Sequence, residues 1–95
     1  MRLLEITPVF VETIPQKLED GKLYISKEFG IVAHSCACGC GGRCIMDLKP
    51  YWKDGWTLTE HGNNVVSLSP SVGNWSGENP YHAHYFIKNN KIDWL

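Results

Sequence analysis

A cluster of cysteines in this chain is suited to binding a metal ion. All four cysteines fall between residues 34 and 44, in the stretch His-Ser-Cys-Ala-Cys-Gly-Cys-Gly-Gly-Arg-Cys. Three of them alternate with other residues, so an extended backbone would place their thiols on one face. Thiolate sulfur and imidazole nitrogen are the usual ligands of zinc, and a Tyr-His-Ala-His stretch follows later in the chain. The predicted ligands of one zinc ion, or of iron in its place, are Cys36, Cys38, Cys40, His82 and His84.

A disulfide is the main alternative for cysteines at this spacing. Residues two apart in an extended segment have Cα atoms roughly 6.5 to 7 Å apart, at the upper edge of the range of about 4.4 to 6.8 Å that an unstrained bridge allows. Metal binding instead requires the backbone to fold around the ion. Gly39, Gly41 and Gly42 allow this because glycine adopts positive φ without a Cβ clash. The spacing therefore favours a metal site over a disulfide, and free buried thiols or redox chemistry are the remaining alternatives.

The ligand set contains more candidates than a tetrahedral site needs. Cys44 is the sixth candidate, and it is equally compatible with a core position, because an unligated cysteine packs as a small apolar side chain. For His34, a hydrogen bond to the backbone from its strand position is favoured over ligation, and at most it orients a ligand. At least one candidate is therefore a spectator.

The elements around the cluster are predicted to be short strands. No stretch has a sustained 3.6-residue period, and β-branched or aromatic runs are separated by turn residues. A long loop is predicted through residues 71–76, a turn over residues 60–64, and a tight hairpin turn at Asn89 and Asn90. The fold class is mostly β, a small antiparallel sheet or partly open barrel in which zinc joins the cysteine-rich turn to a C-terminal hairpin. Its predicted strands are residues 8–14, 22–26, 31–35, 44–48, 64–69, 84–88 and 91–94, with a further short strand between Trp52 and Leu58.

Length and charge limit the function classes. The chain has 95 residues and a net charge of −1, which predicts a single domain over residues 1–95 whose small core a metal would help to stabilise. The near-neutral charge gives no electrostatic footprint for nucleic acid or an anionic membrane. No apolar run reaches the roughly 20 residues of a membrane span, and the N-terminus is not typical of a signal peptide. We expect a cytoplasmic protein with a protein partner.

Several segments together resemble a family of small bacterial and phage proteins, the DUF6527 domain family. Nearly the whole chain takes part. The matching pieces are residues 14–15 with 21–26, the His-x-Cys-x-Cys-Gly-Cys-Gly core at residues 34–41, Leu-Ser-Pro-Ser-Val-Gly-Asn-Trp-Ser at 68–76, and His-Tyr-Phe-Ile at 84–87 followed by Trp94. The resemblance implies a metal-binding domain associated with ubiquitin-like conjugation components: a ubiquitin-like protein, its activating and conjugating enzymes, and a Mov34-type isopeptidase. In the family pattern a cysteine stands three residues before the histidine that matches His84. Tyr81 occupies that position here, so the ligand shell must be completed differently.

These observations predict a noncatalytic, zinc-stabilised protein-interaction domain, an accessory factor of a bacterial ubiquitin-like conjugation or antiphage system. The alternative is a small zinc-dependent hydrolase with an open metal position. His82 and His84, with Asp93 beyond them, are faintly similar to the ligands of Mov34-type isopeptidases. No catalytic residue is predicted: Ser69, Ser71 and Ser76 have no evident partner base and are expected to cap turns.

Overall fold

The regular secondary structure of the described residues consists of β-strands. The computed structural model describes residues 3–39, 42–76 and 79–95, and for residues 74–76 and 79–83 it describes the backbone only. Within these ranges there is no helix, and so none that could cross a membrane. The mostly-β class is confirmed. The strands are β1 (Thr7–Phe10), β2 (Lys22–Ser26), β3 (Ile31–Ser35), β4 (Arg43–Asp47), β5 (Thr57–Gly62), β6 (Val65–Ser76), β7 (Asn79–Lys88) and β8 (Lys91–Trp94).

The strands are divided between two four-stranded sheets. The first has the order β1-β2-β3-β4 and the second β5-β6-β7-β8. All pairs are antiparallel except β1 and β2, which run parallel. The expectation of a single antiparallel sheet or partly open barrel is therefore corrected. The connection through residues 11–21 is long enough to return the chain for a parallel pairing, which a tight hairpin turn cannot do.

The hydrophobic core takes side chains from both sheets. Leu23, Ile25 and Val32 of the first sheet and Tyr85 and Ile87 of the second have no exposed surface. Among the described side chains, all buried hydrophobic residues except Tyr24 and Ala33 join one cluster. The N-terminal segment ties the sheets together, since Leu3 N donates to Ala37 O at 2.7 Å and Ile92 N to Leu4 O at 2.9 Å. Burial of this apolar surface is the main source of stability.

Strand β6 differs most from its prediction. A loop was expected through residues 71–76, but β6 continues to Ser76. The reason is visible in the burial of Val66, Leu68 and Val72, which keeps the two-residue period of a strand facing a core. The predicted turn over residues 60–64 is shorter than expected, because β5 runs to Gly62.

The predicted hairpin turn between β7 and β8 is confirmed. Asn89 and Asn90 have φ of 50° and 66°, the left-handed conformation that asparagine tolerates and a two-residue hairpin requires. This turn fixes β8 beside β7, with Tyr85 opposite Trp94.

Candidate functional site

The structure brings a serine and a histidine together on the second sheet. Ser71 Oγ lies 2.7 Å from His84 Nε2, and both side chains are half-buried. Ser71 belongs to β6 and His84 to the adjacent β7. The distance is that of a hydrogen bond between the hydroxyl and the imidazole nitrogen.

A bulge in β6 presents Ser71. Leu68 pairs with Ile87 and Val72 with Tyr85, so three residues of β6 lie opposite the single residue Phe86 of β7. Pro70, in the middle of this bulge, has no N–H to contribute to a ladder, and such residues are confined to bulges and edges. The bulge therefore displaces the backbone beside Ser71 from regular pairing.

Strand alternation places the pair on the outer face of the sheet. Val72 and Tyr85 are buried in the core, so their neighbours Ser71 and His84 point to the opposite face. The backbone of His84 is held by its pairing with Gly73 and by a hydrogen bond of 3.0 Å from Leu95 N to His84 O. The imidazole thus stands on a paired central strand beside the bulged serine.

A serine hydroxyl bonded to a histidine nitrogen can act as a nucleophile. The imidazole accepts the hydroxyl proton as the oxygen attacks an electrophilic carbon, which raises the reactivity of an otherwise weak nucleophile. The expectation that Ser71 has no partner base is therefore wrong. The sequence did contain a signal: Ser67, Ser69 and Ser71 alternate with apolar residues, which indicates one polar face.

The cysteine cluster lies at the end of β3. Cys36 Sγ and Cys38 Sγ are 3.3 Å apart, and Cys36 is buried. Gly39 has φ of 86°, as expected of the glycine-assisted turn. Two of the predicted ligands cannot be placed: Cys40 lies outside the described residues, and His82 is described only through its backbone.

A buried polar network adjoins the cysteines. His34 Nε2 and the Tyr85 hydroxyl are 2.6 Å apart, and Ala37 N donates to the same hydroxyl at 3.4 Å. Burial lowers the pKa of His34 from 6.5 to about 4. Burial, with the nearby thiols of Cys44 and Cys36, raises the pKa of Tyr85. A neutral imidazole is therefore hydrogen-bonded to a neutral phenol. The expected partner of His34 was the backbone, and the observed partner is instead the side chain of Tyr85.

The predicted ligands are only partly assembled in the described residues. Cys36 and Cys38 lie together, and Cys44 is buried on β4 opposite His34. His84 bonds Ser71 on the outer face, whereas the adjacent Tyr85 points to the cysteines. No three side chains of ligand type converge within the described ranges. The full ligand set stays a prediction.

A cleft of about 290 Å³ lies apart from the serine–histidine pair. Its lining residues are Asp47, Trp52, Lys53, Asp54, Gly55 and Trp56. Ser71 and His84 instead lie on the open face of a sheet, which suits an extended chain better than a small enclosed ligand.

Comparison with known proteins gave a match that covers most of the chain. Residues 10–95 match the model of a family described as bacterial ubiquitination-like system serine protease, BubE. No curated protein and no solved structure matches. The match supports the association with ubiquitin-like conjugation that the sequence resemblance implied, although the matching family carries a name other than DUF6527.

Proposed function

The chain belongs to the BubE family of bacterial ubiquitination-like system serine proteases, and we propose that it hydrolyses peptide or isopeptide bonds with Ser71 as nucleophile and His84 as general base. Membership of this family makes the protein a component of a bacterial ubiquitination-like system. The choice of residues depends on one observation, the 2.7 Å contact between Ser71 Oγ and His84 Nε2.

The reaction follows from the chemistry of this pair. Ser71 Oγ attacks the carbonyl carbon of the scissile bond while His84 Nε2 accepts the hydroxyl proton. As the tetrahedral intermediate collapses, the C–N bond breaks, and His84 returns the proton to the leaving amine. A water molecule then attacks the acyl-serine ester, giving one proton to His84. When the ester bond breaks, that proton returns to Ser71 Oγ, which regenerates the hydroxyl and releases the acid.

The surface around Ser71 suits an extended polypeptide. Ser67, Ser69 and Gly73 lie on the same outer face of β6 by strand alternation, so a chain crossing this face meets small residues. The C-terminal tail of a ubiquitin-like protein is an extended segment that could reach an open sheet face. We therefore propose that tail, with the bond that follows its C-terminal residue, as the substrate.

Covalent labelling tests the nucleophile directly. A fluorophosphonate probe reacts with activated serine hydroxyls and leaves a phosphonyl group on the oxygen. We expect labelling of the wild-type protein at Ser71, located by peptide mass spectrometry, and none in Ser71→Ala. Ser69→Ala, which changes a neighbouring serine of the same bulge, is the matched control and should label normally. Labelling at another serine would overturn the assignment.

We also propose a structural zinc ion at the end of β3, supported by the proximity of Cys36 and Cys38. Two thiolates on a tetrahedral zinc ion with bonds of about 2.3 Å lie about 3.8 Å apart, close to the 3.3 Å between these sulfurs. Cys40, Cys44 and His82 are the candidates for the remaining positions. His84 is also a predicted ligand, but its Nε2 could bind zinc only if it gave up its contact with Ser71. Bound zinc would crosslink the turn and stabilise the fold.

The noncatalytic interaction domain is the competing proposal, in which zinc closes the fold and the exposed surface binds a conjugation component. It gains support from the cysteine pair but gives no role to the Ser71–His84 contact. A zinc-dependent hydrolase would share the substrate but use a metal-bound water. Absence of fluorophosphonate labelling in active protein would favour that enzyme over the serine mechanism.

A further inference from the structure

The backbone of Ser71 lies outside both neighbouring strand ladders. On one side, the pairing of β5 with β6 begins at Thr57 opposite Ser69. On the other side, the pairing of β6 with β7 skips from Leu68 to Val72. Within the described part of the chain, Ser71 therefore has no register partner on either strand. A proposed nucleophile at such a position needs another restraint, because an unpaired backbone segment can shift.

Trp56 supplies a contact to this segment. Its indole Nε1 donates a hydrogen bond of 3.3 Å to the backbone oxygen of Ser71. The tryptophan comes just before β5, and its half-buried ring packs against the core. Trp56 thus contacts the bulge from the β5 side, one residue before the pairing of β5 with β6 begins at Thr57.

Trp56 is itself anchored to the first sheet. Trp56 N donates to Asp47 O at 2.7 Å, and Lys49 N donates to Trp56 O at 2.9 Å. Asp47 is the last residue of β4, and Leu48 forms an isolated parallel bridge with Trp56. These bonds fix both the donor and the acceptor group of the Trp56 backbone, so the ring can hold Ser71 in a defined position.

We infer that Trp56 is a positioning residue of the Ser71–His84 pair, holding the Ser71 carbonyl so that Oγ stays within hydrogen-bond reach of His84. The inference rests on the proposed function. The carbonyl carbon and Oγ of Ser71 are three bonds apart through Cα and Cβ, so movement of the peptide plane moves the hydroxyl. A misplacement of about 1 Å at a reacting group can cost about 10²-fold in rate.

The test removes the indole N–H while keeping an aromatic ring. For Trp56→Phe, kcat is measured with the system's ubiquitin-like protein carrying a C-terminal aminocoumarin amide. We expect a fall of about 10-fold with KM changed less than about twofold, because the lost contact aligns the nucleophile rather than the bound tail. The rate of fluorophosphonate labelling should fall in parallel. Trp52→Phe, which alters an exposed tryptophan of the same segment, is the control and should retain wild-type rates.

A second variant separates positioning from folding. Benzothienylalanine at position 56 replaces the N–H by sulfur and keeps the shape of the indole, so the core packing survives even if Trp56→Phe unfolds. A similar loss of kcat in this variant, with an unchanged melting temperature, supports the inference. Wild-type kcat in it overturns the inference while leaving the proposed function intact. If Ser71→Ala itself retained full activity, the proposed function would fail, and the positioning role with it.

Discussion

Among the side chains that the structure describes, the second sheet carries two serine–histidine pairs, and their differences indicate which one can act as a catalyst. Ser71 Oγ is 2.7 Å from His84 Nε2, and Ser67 Oγ is 2.8 Å from His61 Nε2. Distance alone does not distinguish them. What differs is the backbone beneath each serine and the other partners of each hydroxyl.

Ser67 has a structural role already. Its hydroxyl oxygen accepts a hydrogen bond of 2.9 Å from Asn89 N and lies 3.3 Å from Asn89 Oδ1, so it joins β6 to the β7–β8 turn. Ser67 also sits in regular pairing opposite Thr59, and the irregularity of β5 falls at His61, which is exposed. An attack by this oxygen would have to break the contacts that hold the turn.

Ser71 has the opposite arrangement. The bulge carries the serine, and the histidine stands on a paired central strand. The Ser71 carbonyl, rather than its hydroxyl, makes the contact with Trp56. The hydroxyl is thus held through the backbone while its bond to His84 remains available for proton transfer. A short Ser–His distance becomes chemically useful only when the hydroxyl is not also part of the scaffold.

The largest expected effect comes from removing each serine hydroxyl in turn. Ser71→Ala should lower the rate of cleavage of the ubiquitin-like substrate at least about 10³-fold, because nothing replaces the nucleophile. Ser67→Ala should stay within about threefold and lose stability instead, through its Asn89 contacts. Cleavage is followed by mass spectrometry and unfolding by circular dichroism. Equal rate losses in the two variants would contradict the assignment of catalysis to the Ser71–His84 pair alone.

The histidines give a second, smaller contrast. His84→Gln keeps a side chain of similar size that can hydrogen-bond Ser71 but cannot accept its proton as a base. We expect a rate loss of about 10²- to 10⁴-fold, the usual contribution of general base catalysis. His61→Gln is the matched control and should cleave at the wild-type rate. If His61→Gln were the more damaged variant, Ser67 would have to be reconsidered as the nucleophile.

Metal content tests whether His84 belongs to the outer-face pair or to the cysteine cluster. Cys38→Ser should lose most of the bound zinc and lower the melting temperature, because the metal adds its binding free energy to that of folding. His84→Gln should retain one zinc per chain when measured by plasma mass spectrometry. Loss of zinc in His84→Gln would return His84 to the ligand set. Absence of zinc from reduced wild-type protein would end the zinc proposal.

The sequence predicted the strands better than it predicted the proposed site. β2, β3 and β8 have the predicted bounds, because each is a short apolar run between turn residues. The proximity of Cys36 and Cys38 also follows from local spacing. The Ser71–His84 contact does not, since it depends on the register between β6 and β7 and on a bulge that offsets the register. The predicted loop through residues 71–76 concealed a strand, although the alternation of serines with Val66, Leu68 and Val72 indicated one.

The smallest expected effect concerns the inner histidine, His34, and sharpens the contrast with exposed His61. The pKa of His34 in the folded protein is about 4, below its usual 6.5, so between these pH values the unfolded chain binds a proton that the folded chain does not. The stabilisation is complete above about pH 6.5 and is lost as the pH falls towards 4, by about 3 kcal/mol in total. Urea unfolding at pH 7.5, 6, 5 and 4 measures it. His34→Gln should flatten this dependence, and His61→Gln, at an exposed histidine, is the matched control. If the dependence persisted in His34→Gln, another group would be responsible, and the neutral His34–Tyr85 hydrogen bond would have to be abandoned.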